Sequence, residues 1–237
     1  MFYAPQLREQ CYYLGEEESR HCSQVLRQKV GDVVLLTDGL GGRYEAKLTE
    51  VLPKRCCFVI TEALPEYNVP SARLHLGVAP TKSMERFEWF LEKATEIGVT
   101  DITPIFTQRT ERSRLRLDRL EKIVVSAMKQ CMTCYLPHLH EPVELLRLLK
   151  DDNLLSGYSQ RFIPYVNPDN GTIAQYYQKK QHTFILIGPE GDFTAQEVGA
   201  ALAKNFVPIS LGKNRLRTET AAIVCCHTVR LLEELAG

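Results

Sequence analysis

Two hydrophobic rhythms follow one another along this chain. From Tyr12 to Ile60 the apolar residues fall in short runs and alternations, Val33-Val34-Leu35-Leu36 and then Tyr44-Glu45-Ala46-Lys47-Leu48, on either side of Gly39-Leu40-Gly41-Gly42. Successive side chains of a strand point to opposite faces, so this pattern predicts a β-hairpin with a glycine-rich turn. A short helix is expected before it, where His21, Val25 and Leu26 recur at helical spacing ahead of Gly31. Pro65, Asn68 and Pro70 then punctuate the chain, which sets a domain boundary near residues 65–72.

Beyond that boundary strands and helices alternate, the signature of an α/β layer around a mostly parallel sheet. Leu74 to Val78 reads as a strand, and Ser83 to Ile97 as a helix with Met84, Phe87, Leu91 and Ala94 on one face and Gly98 as its stop. Ile102 to Phe106 is the next strand. Leu117, Leu120, Ile123, Val124, Ala127 and Met128 mark a second amphipathic helix, and Val143 to Leu149 a third. Phe184 to Ile187 reads as a buried strand that breaks at Gly188-Pro189-Glu190-Gly191-Asp192, after which Thr194 and Glu197 form a capping box for a new helix. Val207 to Gly212 repeats the design, with Lys213 to Thr220 leading into an apolar last helix from Ala221 to Leu235.

Composition adjusts this picture modestly. A chain of 237 residues suits two domains, and 44% hydrophobic with 24% charged residues is ordinary for a globular protein. The net charge of zero lacks the excess that announces a nucleic-acid binder, so only local patches can help. The richest is Arg109, Arg112, Arg114, Arg116, Arg119 and Lys122, interrupted by Glu111, Asp118 and Glu121. It is either a phosphate-contacting surface or a solvated helix face. The start, Met1-Phe2-Tyr3-Ala4-Pro5, has no basic segment followed by an apolar run, and no apolar run approaches the roughly 20 residues of a membrane span. A cytoplasmic location without membrane contact is therefore expected, and with it eight reduced cysteines, most of them plain core residues. Cys131 and Cys134, with His138 and His140 beyond, could supply four metal ligands. Their H-x-H spacing is tighter than a zinc finger uses and Pro137 interrupts it, so no metal is expected.

The chemistry is expected in the two loops that leave strand ends, Ile187-Gly188-Pro189-Glu190-Gly191 and Leu211-Gly212 through Leu216-Arg217 to Thr220-Ala221. Parallel sheets bind ligands at the carboxyl ends of their strands, and glycines there let a ligand approach the main chain. Thr218, Glu219 and Thr220 suit a helix N-terminus, but Arg217 is a cation where the helix dipole disfavours one.

Taken in order, several stretches resemble the bacterial 16S ribosomal RNA uridine-N3 methyltransferases of the SPOUT superfamily. They are His21 with Val25-Leu26-Arg27, Asp38-Gly39-x-Gly41, Lys82-Ser83-Met84-Glu85-Arg86-Phe87-Glu88, Lys93-Ala94-Thr95-Glu96-Ile97-Gly98, Gly188-Pro189-Glu190-Gly191, and Leu211-Gly212 with Leu216-Arg217-Thr218-Glu219-Thr220-Ala221. The resemblance covers nearly the whole chain. It implies a small PUA-like β-barrel RNA-binding domain over residues 1–68 and an α/β methyltransferase domain over 72–237 whose C-terminal part forms a trefoil knot. It further implies a homodimer that binds S-adenosylmethionine through the two loops above and acts on 16S ribosomal RNA within the small ribosomal subunit.

On this reading Arg217 orients or charge-stabilises the uracil and Glu219 assists its deprotonation, unless Glu219 only satisfies the helix N-terminus. Arg27 and Lys29 on the small domain, and Lys82, Arg86, Arg109, Arg112 and Arg114 on the large one, are the candidate RNA contacts. The chain departs from the family at Asp192, where relatives usually continue with glycine, at Asn214-Arg215, and after Gln130, where a following arginine is missing. Two alternatives stay open: the same fold acting on another RNA nucleotide, and a non-catalytic RNA-binding assembly factor. A Rossmann-type enzyme is excluded, because no glycine fingerprint follows the first strand of an α/β unit.

Overall fold

The alternation of buried Ala46 and Leu48 with exposed Lys47 and Thr49 gives one face of the N-terminal sheet its core. The computed structural model describes residues 1–9, 12–112, 114–165 and 170–235, with only the backbone of Arg8 and Glu9. It divides into two units: Met1–Pro70 with Val125–Leu136, and Ser71–Val124 with Pro137–Gly237. Residues 125–136 thus return to the first unit, an excursion that a single cut in the sequence near 68–72 does not contain.

In the first unit β1 (Phe2–Tyr3), β2 (Val33–Thr37), β3 (Arg43–Val51) and β4 (Cys56–Leu64) form a mixed sheet in that order. β2 and β3 make the expected hairpin, with Val33 opposite Lys47 and Thr37 opposite Arg43. Its turn is set by Asp38, whose carboxylate accepts from Leu40 N at 2.8 Å, Gly42 N at 3.1 Å and the Tyr44 hydroxyl at 3.0 Å. Gly39 and Gly41 have φ of 79° and 100°, where a β-carbon is strained, so the Asp-Gly-x-Gly stretch is a turn-building device. Gly41 N and Thr37 Oγ1 both donate to the Cys134 carbonyl, at 2.7 and 3.0 Å, and this holds the 125–136 segment.

α1 (Glu16–Arg20) runs into a π-helical turn at His21–Val25. The expected apolar face through Val25 and Leu26 is not buried: they are 63% and 48% exposed, while Cys22 is buried in the core. The wider turn changes the angular spacing on which the expectation rested. Ser19 anchors the helix, donating to Leu14 O at 2.9 Å and accepting from Cys56 N at 2.9 Å.

The second unit holds a parallel sheet. β5 (Leu74–Val78), β6 (Asp101–Phe106), β7 (His138–Leu139), β9 (Gln160–Pro164), β10 (Thr183–Ile187) and β11 (Val207–Ile209) run in the order β11-β9-β10-β5-β6-β7, and β8 (Val143–Glu144) also pairs with β6. α2 (Met84–Ile97) buries Phe87, Phe90, Leu91 and Ala94, and stops where Gly98, at φ 100°, donates back to Ala94 O. α3 (Leu117–Cys131) buries Leu120, Val124, Ala127 and Met128.

Where a helix was expected over 143–149 the chain first pairs as β8, and only α4 (Leu145–Leu148) is helical, because Val143 finds a ladder partner in Ile105. α5 (Asp152–Ser156), α6 (Ile173–Tyr176) and α7 (Ala195–Leu202) are short. β11 ends three residues before the expected Gly212, as the chain turns through Gly212 at φ 109°. α8 (Thr218–Glu234) begins earlier than expected and packs on α2, β5 and β10, with Ala222, Cys225, Cys226 and Val229 buried. The ends of β5 and β10 lie side by side in mid-sheet, Ile187 opposite Val78, with strands leading away on both sides. That is where parallel sheets open a ligand crevice.

Candidate active site

β10 is buried along its whole length, so its carboxyl end is fixed before the loop begins. Ala79 N donates to Ile187 O at 3.0 Å, which continues the ladder one step past β5. Gly188 then lies against the Phe193 ring, where a β-carbon would come within 3.1 Å of two ring carbons. Pro189 starts a turn closed by Asp192 N donating to Pro189 O at 2.9 Å. Asp192 has φ 61°, the left-handed region that glycine fills at little cost, and its Oδ1 accepts from Phe193 N at 2.8 Å. This local bond explains how an aspartate takes a glycine's place.

The expected capping box is present and does more than cap. Glu197 Oε2 accepts from Thr194 N and Oγ1 at 2.8 and 2.9 Å, and Oε1 accepts from Gln108 N at 2.8 Å. One buried carboxylate thus ties the segment after β6 to the start of α7. Arg109 and Glu190 add two further ties. Arg109 Nη1 donates to Gly191 O at 2.6 Å, with its side chain against Gly191, and Glu190 Oε1 accepts from Lys82 N at 3.0 Å. Arg112 Nη2 donates to Lys82 O at 2.9 Å. Two arginines nominated as RNA contacts therefore spend donors on the loops themselves. Arg114 is exposed, and Lys82 makes a solvent-exposed pair with Glu111 at 3.0 Å, of a kind that contributes little to stability. In the first unit, Arg27 has φ 53° and Lys29 N donates to Asp32 at 2.8 Å; both side chains are exposed.

The second loop carries Leu211, half-buried, Gly212, exposed with open space where a β-carbon would stand, and Leu216. Arg217 occupies the N-cap of α8 in extended backbone, and Thr220 and Ala221 follow in the first turn. Thr218 Oγ1 donates to Gly188 O at 3.0 Å. That bond brings the start of α8 onto the first loop, so the two stretches singled out in the sequence meet.

At this junction lies a hollow of about 300 Å³ lined by Glu85, Arg86, Trp89, Arg217, Glu219 and Thr220. Glu219 is only 7% exposed. Its Oε1 lies 3.9 Å from Arg86 Nε, and its Oε2 is buried without a hydrogen-bond partner. Leaving such an oxygen unsatisfied costs about 1–3 kcal/mol. Glu85 and Trp89 escaped sequence reasoning. Their signal was present: residues 85, 86 and 89 share one helical face.

A separate cluster joins His75, Asp101 and His140, whose ligand atoms lie within 4.8 Å of one another. Among the described residues it is the one grouping of this kind, and it includes neither Cys131 nor Cys134. Both His75 ring nitrogens are engaged, with the Tyr158 hydroxyl at 2.8 Å and Thr103 Oγ1 at 2.7 Å. The ring stacks on Phe184 with centroids 4.2 Å apart. Burial lowers the His75 pKa to about 3 and keeps it neutral. Burial alone would raise Asp101, but hydrogen bonds from His140 and Arg73 outweigh it and hold the carboxyl below its usual range. Both ring nitrogens of His75 and Nε2 of His140 are thus engaged within this polar network.

A family model described as an RNA methyltransferase domain matches residues 68–230, and one described as an RNA methyltransferase PUA domain matches residues 14–61. The chain is 31% identical over 229 residues to a protein of Rickettsia conorii named ribosomal RNA small subunit methyltransferase E, covering 94% of this chain and 91% of the relative. It is similar to the crystal structure of a probable rRNA-methyltransferase from Porphyromonas gingivalis, with 38% identity, a TM-score of 0.88 and 98% of each chain covered. It also resembles a ribosomal RNA small subunit methyltransferase E from Neisseria gonorrhoeae bound to S-adenosyl methionine, with 27% identity, a TM-score of 0.85, and 98% and 96% of the two chains covered.

Proposed function

Because this chain belongs to the RNA methyltransferase family that includes ribosomal RNA small subunit methyltransferase E, we propose that it transfers a methyl group from S-adenosylmethionine to N3 of a uridine in 16S ribosomal RNA. The observation that carries the reading is the bond from Thr218 to Gly188, which joins the glycine loop to the helix start bearing Arg217 and Glu219.

The loops fit the cofactor. Gly212 has open space around it, and Gly188, Pro189, Glu190 and Gly191 form a tight turn after Ile187. Leu211, Leu216, Arg217, Thr220 and Ala221 complete the holding set. When bound, S-adenosylmethionine supplies a methyl on a positively charged sulfur, which leaves as a neutral thioether once the acceptor nitrogen bonds to the methyl carbon. The protein supplies position and proton management. N3 of uracil bears a weakly acidic proton; the carboxylate of Glu219 accepts it, and the guanidinium of Arg217 stabilises the charge left on the ring.

Residues 1–68 act as a PUA-like RNA-binding domain and 72–237 as the catalytic domain, with the C-terminal loops threaded as the SPOUT trefoil knot. Arg27, Lys29 and Arg114 contact RNA phosphate, Lys82 and Arg86 are further RNA contacts, and Arg109 and Arg112 hold the loops as well as facing the RNA. The protein works in the cytoplasm as a homodimer on the small ribosomal subunit; no helix among the described residues is long and apolar enough to cross a membrane.

The test is to incubate the protein with isotope-labelled S-adenosylmethionine and small subunits from a strain lacking this methyltransferase, then to identify labelled nucleosides by mass spectrometry. Labelled N3-methyluridine is the expected result. A different labelled nucleoside would move the target, and no label with cofactor bound would leave an assembly factor.

A further inference from the structure

The hollow beside Glu219 contains the chain's single tryptophan, and nothing in the proton chemistry uses it. Trp89 is 44% exposed, although its neighbours Phe87, Phe90 and Leu91 are buried and already give α2 its core face. A large ring left half in solvent among Glu85, Arg86, Arg217 and Glu219 offers a flat apolar wall in an otherwise polar pocket. Enzymes that modify a nucleobase take it out of its stack and hold it by stacking against apolar side chains and by hydrogen bonds to its pairing edge. The volume of about 300 Å³ lies at the lower end of ligand-sized clefts.

Resting on the function proposed above, we propose that Trp89 is the stacking wall for the acceptor base and that Arg86, Glu219 and Arg217 read its edge as uracil. The pairing edge of uracil runs carbonyl, N–H, carbonyl, that is acceptor, donor, acceptor. The lining supplies the complement: two guanidinium groups, which only donate, and the carboxylate of Glu219, which only accepts. Cytosine carries an amino group in place of one carbonyl and an acceptor at N3. It would set a donor against a guanidinium and a lone pair against the carboxylate. Trp89 is a positioning residue; it takes no part in bond making.

Because Trp89 is the only tryptophan, its fluorescence reports on the pocket directly. Oligouridylate should quench it and bind at least about fivefold more tightly than oligocytidylate of equal length, and Arg86→Gln should narrow that gap. Trp89→Ala and Trp89→Leu should lower kcat/KM for small-subunit RNA about 5- to 100-fold, with Trp89→Phe in between. The dissociation constant for S-adenosylmethionine and the mass by light scattering should stay at wild-type values.

Equal quenching by the two oligonucleotides, or full activity in Trp89→Leu, would overturn the assignment. So would a matching loss of cofactor affinity, which would put Trp89 in the cofactor site, or a fall in mass, which would put it between copies of the chain. If the wild-type protein labels no ribosomal RNA, the functional reading falls and the quenching experiment still judges Trp89. If it labels RNA and Trp89→Leu changes nothing, only the assignment of Trp89 falls.

Discussion

The carboxylate of Glu190 accepts a hydrogen bond from the backbone N–H of Lys82 at 3.0 Å, which locks the loop after β10 to the turn after β5. Lys82 O in turn accepts from Arg112, so one residue is held from both sides of its main chain. The glycine loop is therefore braced from outside by residues far away in the sequence.

Removing that brace should show in cofactor affinity before it shows in stability. Glu190→Ala is expected to weaken S-adenosylmethionine binding about 3- to 10-fold while costing only about 1 kcal/mol of stability, the usual worth of one hydrogen bond. Isothermal titration beside urea unfolding measures both. Unchanged affinity would mean that the loop holds its shape unaided.

Arg217→Ala should lower kcat about 100-fold or more, a larger loss than any it causes in cofactor affinity, as expected for a group that acts where charge develops. Glu219→Gln keeps the shape and removes the proton acceptor, so kcat should fall by about 100-fold. Single-turnover methylation decides both. Wild-type turnover in Glu219→Gln would return that residue to helix capping alone.

The left-handed backbone at Asp192 makes a prediction with a definite sign. Asp192→Ala keeps the β-carbon but loses the bond to Phe193 N, and should destabilise by about 1 kcal/mol. Asp192→Gly relieves the strain as it loses the bond, and should stay within about 0.5 kcal/mol of wild type. Urea midpoints separate the two variants, and equal losses would contradict this account.

His75 makes stability depend on pH. Its folded pKa of about 3 lies below the ordinary histidine value of 6.5, so between these limits the unfolded chain binds the extra proton. The contribution is complete above pH 6.5 and is lost as pH falls towards 3. The unfolding free energy should therefore drop by up to about 1.4 kcal/mol per pH unit in this window. His75→Gln, which can hydrogen-bond but not titrate there, should flatten the slope. Asp101 acts in the same direction at lower pH, since its folded carboxyl titrates below the unfolded one.

Local pattern carried the sequence reading where local forces decide. β5, the stop of α2 at Gly98 and the capping box of Thr194 and Glu197 follow from residues within a few positions of each other. Pattern failed where distant partners decide. Arg109 and Gly191 lie 82 positions apart, so nothing in a run of arginines showed that one of them turns inward to a glycine carbonyl. The β8 ladder to Ile105 overrode a helical pattern in the same way, and the π-helical turn broke the spacing that pointed to Val25 and Leu26. The two site loops were legible because strand-turn-helix order marks them. Trp89 was not, because an exposed aromatic on a helix acquires meaning only when α8 arrives beside it.

The return of residues 125–136 to the first unit has a consequence for dissecting the protein. Cleaving the chain after Pro70 would remove the Cys134 carbonyl that takes the Gly41 N–H and the Thr37 hydroxyl, and with it the Thr133 hydroxyl bonded to Asn68. Each hydrogen bond lost this way costs about 1 kcal/mol, and together they are a large share of what a domain of some 70 residues can spare. An N-terminal fragment made alone should fold poorly, and should recover when the 125–136 segment is supplied in trans. The two units are therefore written into the gene as interleaved text, so a recombination event that transplants one without the other would deliver an incomplete fold.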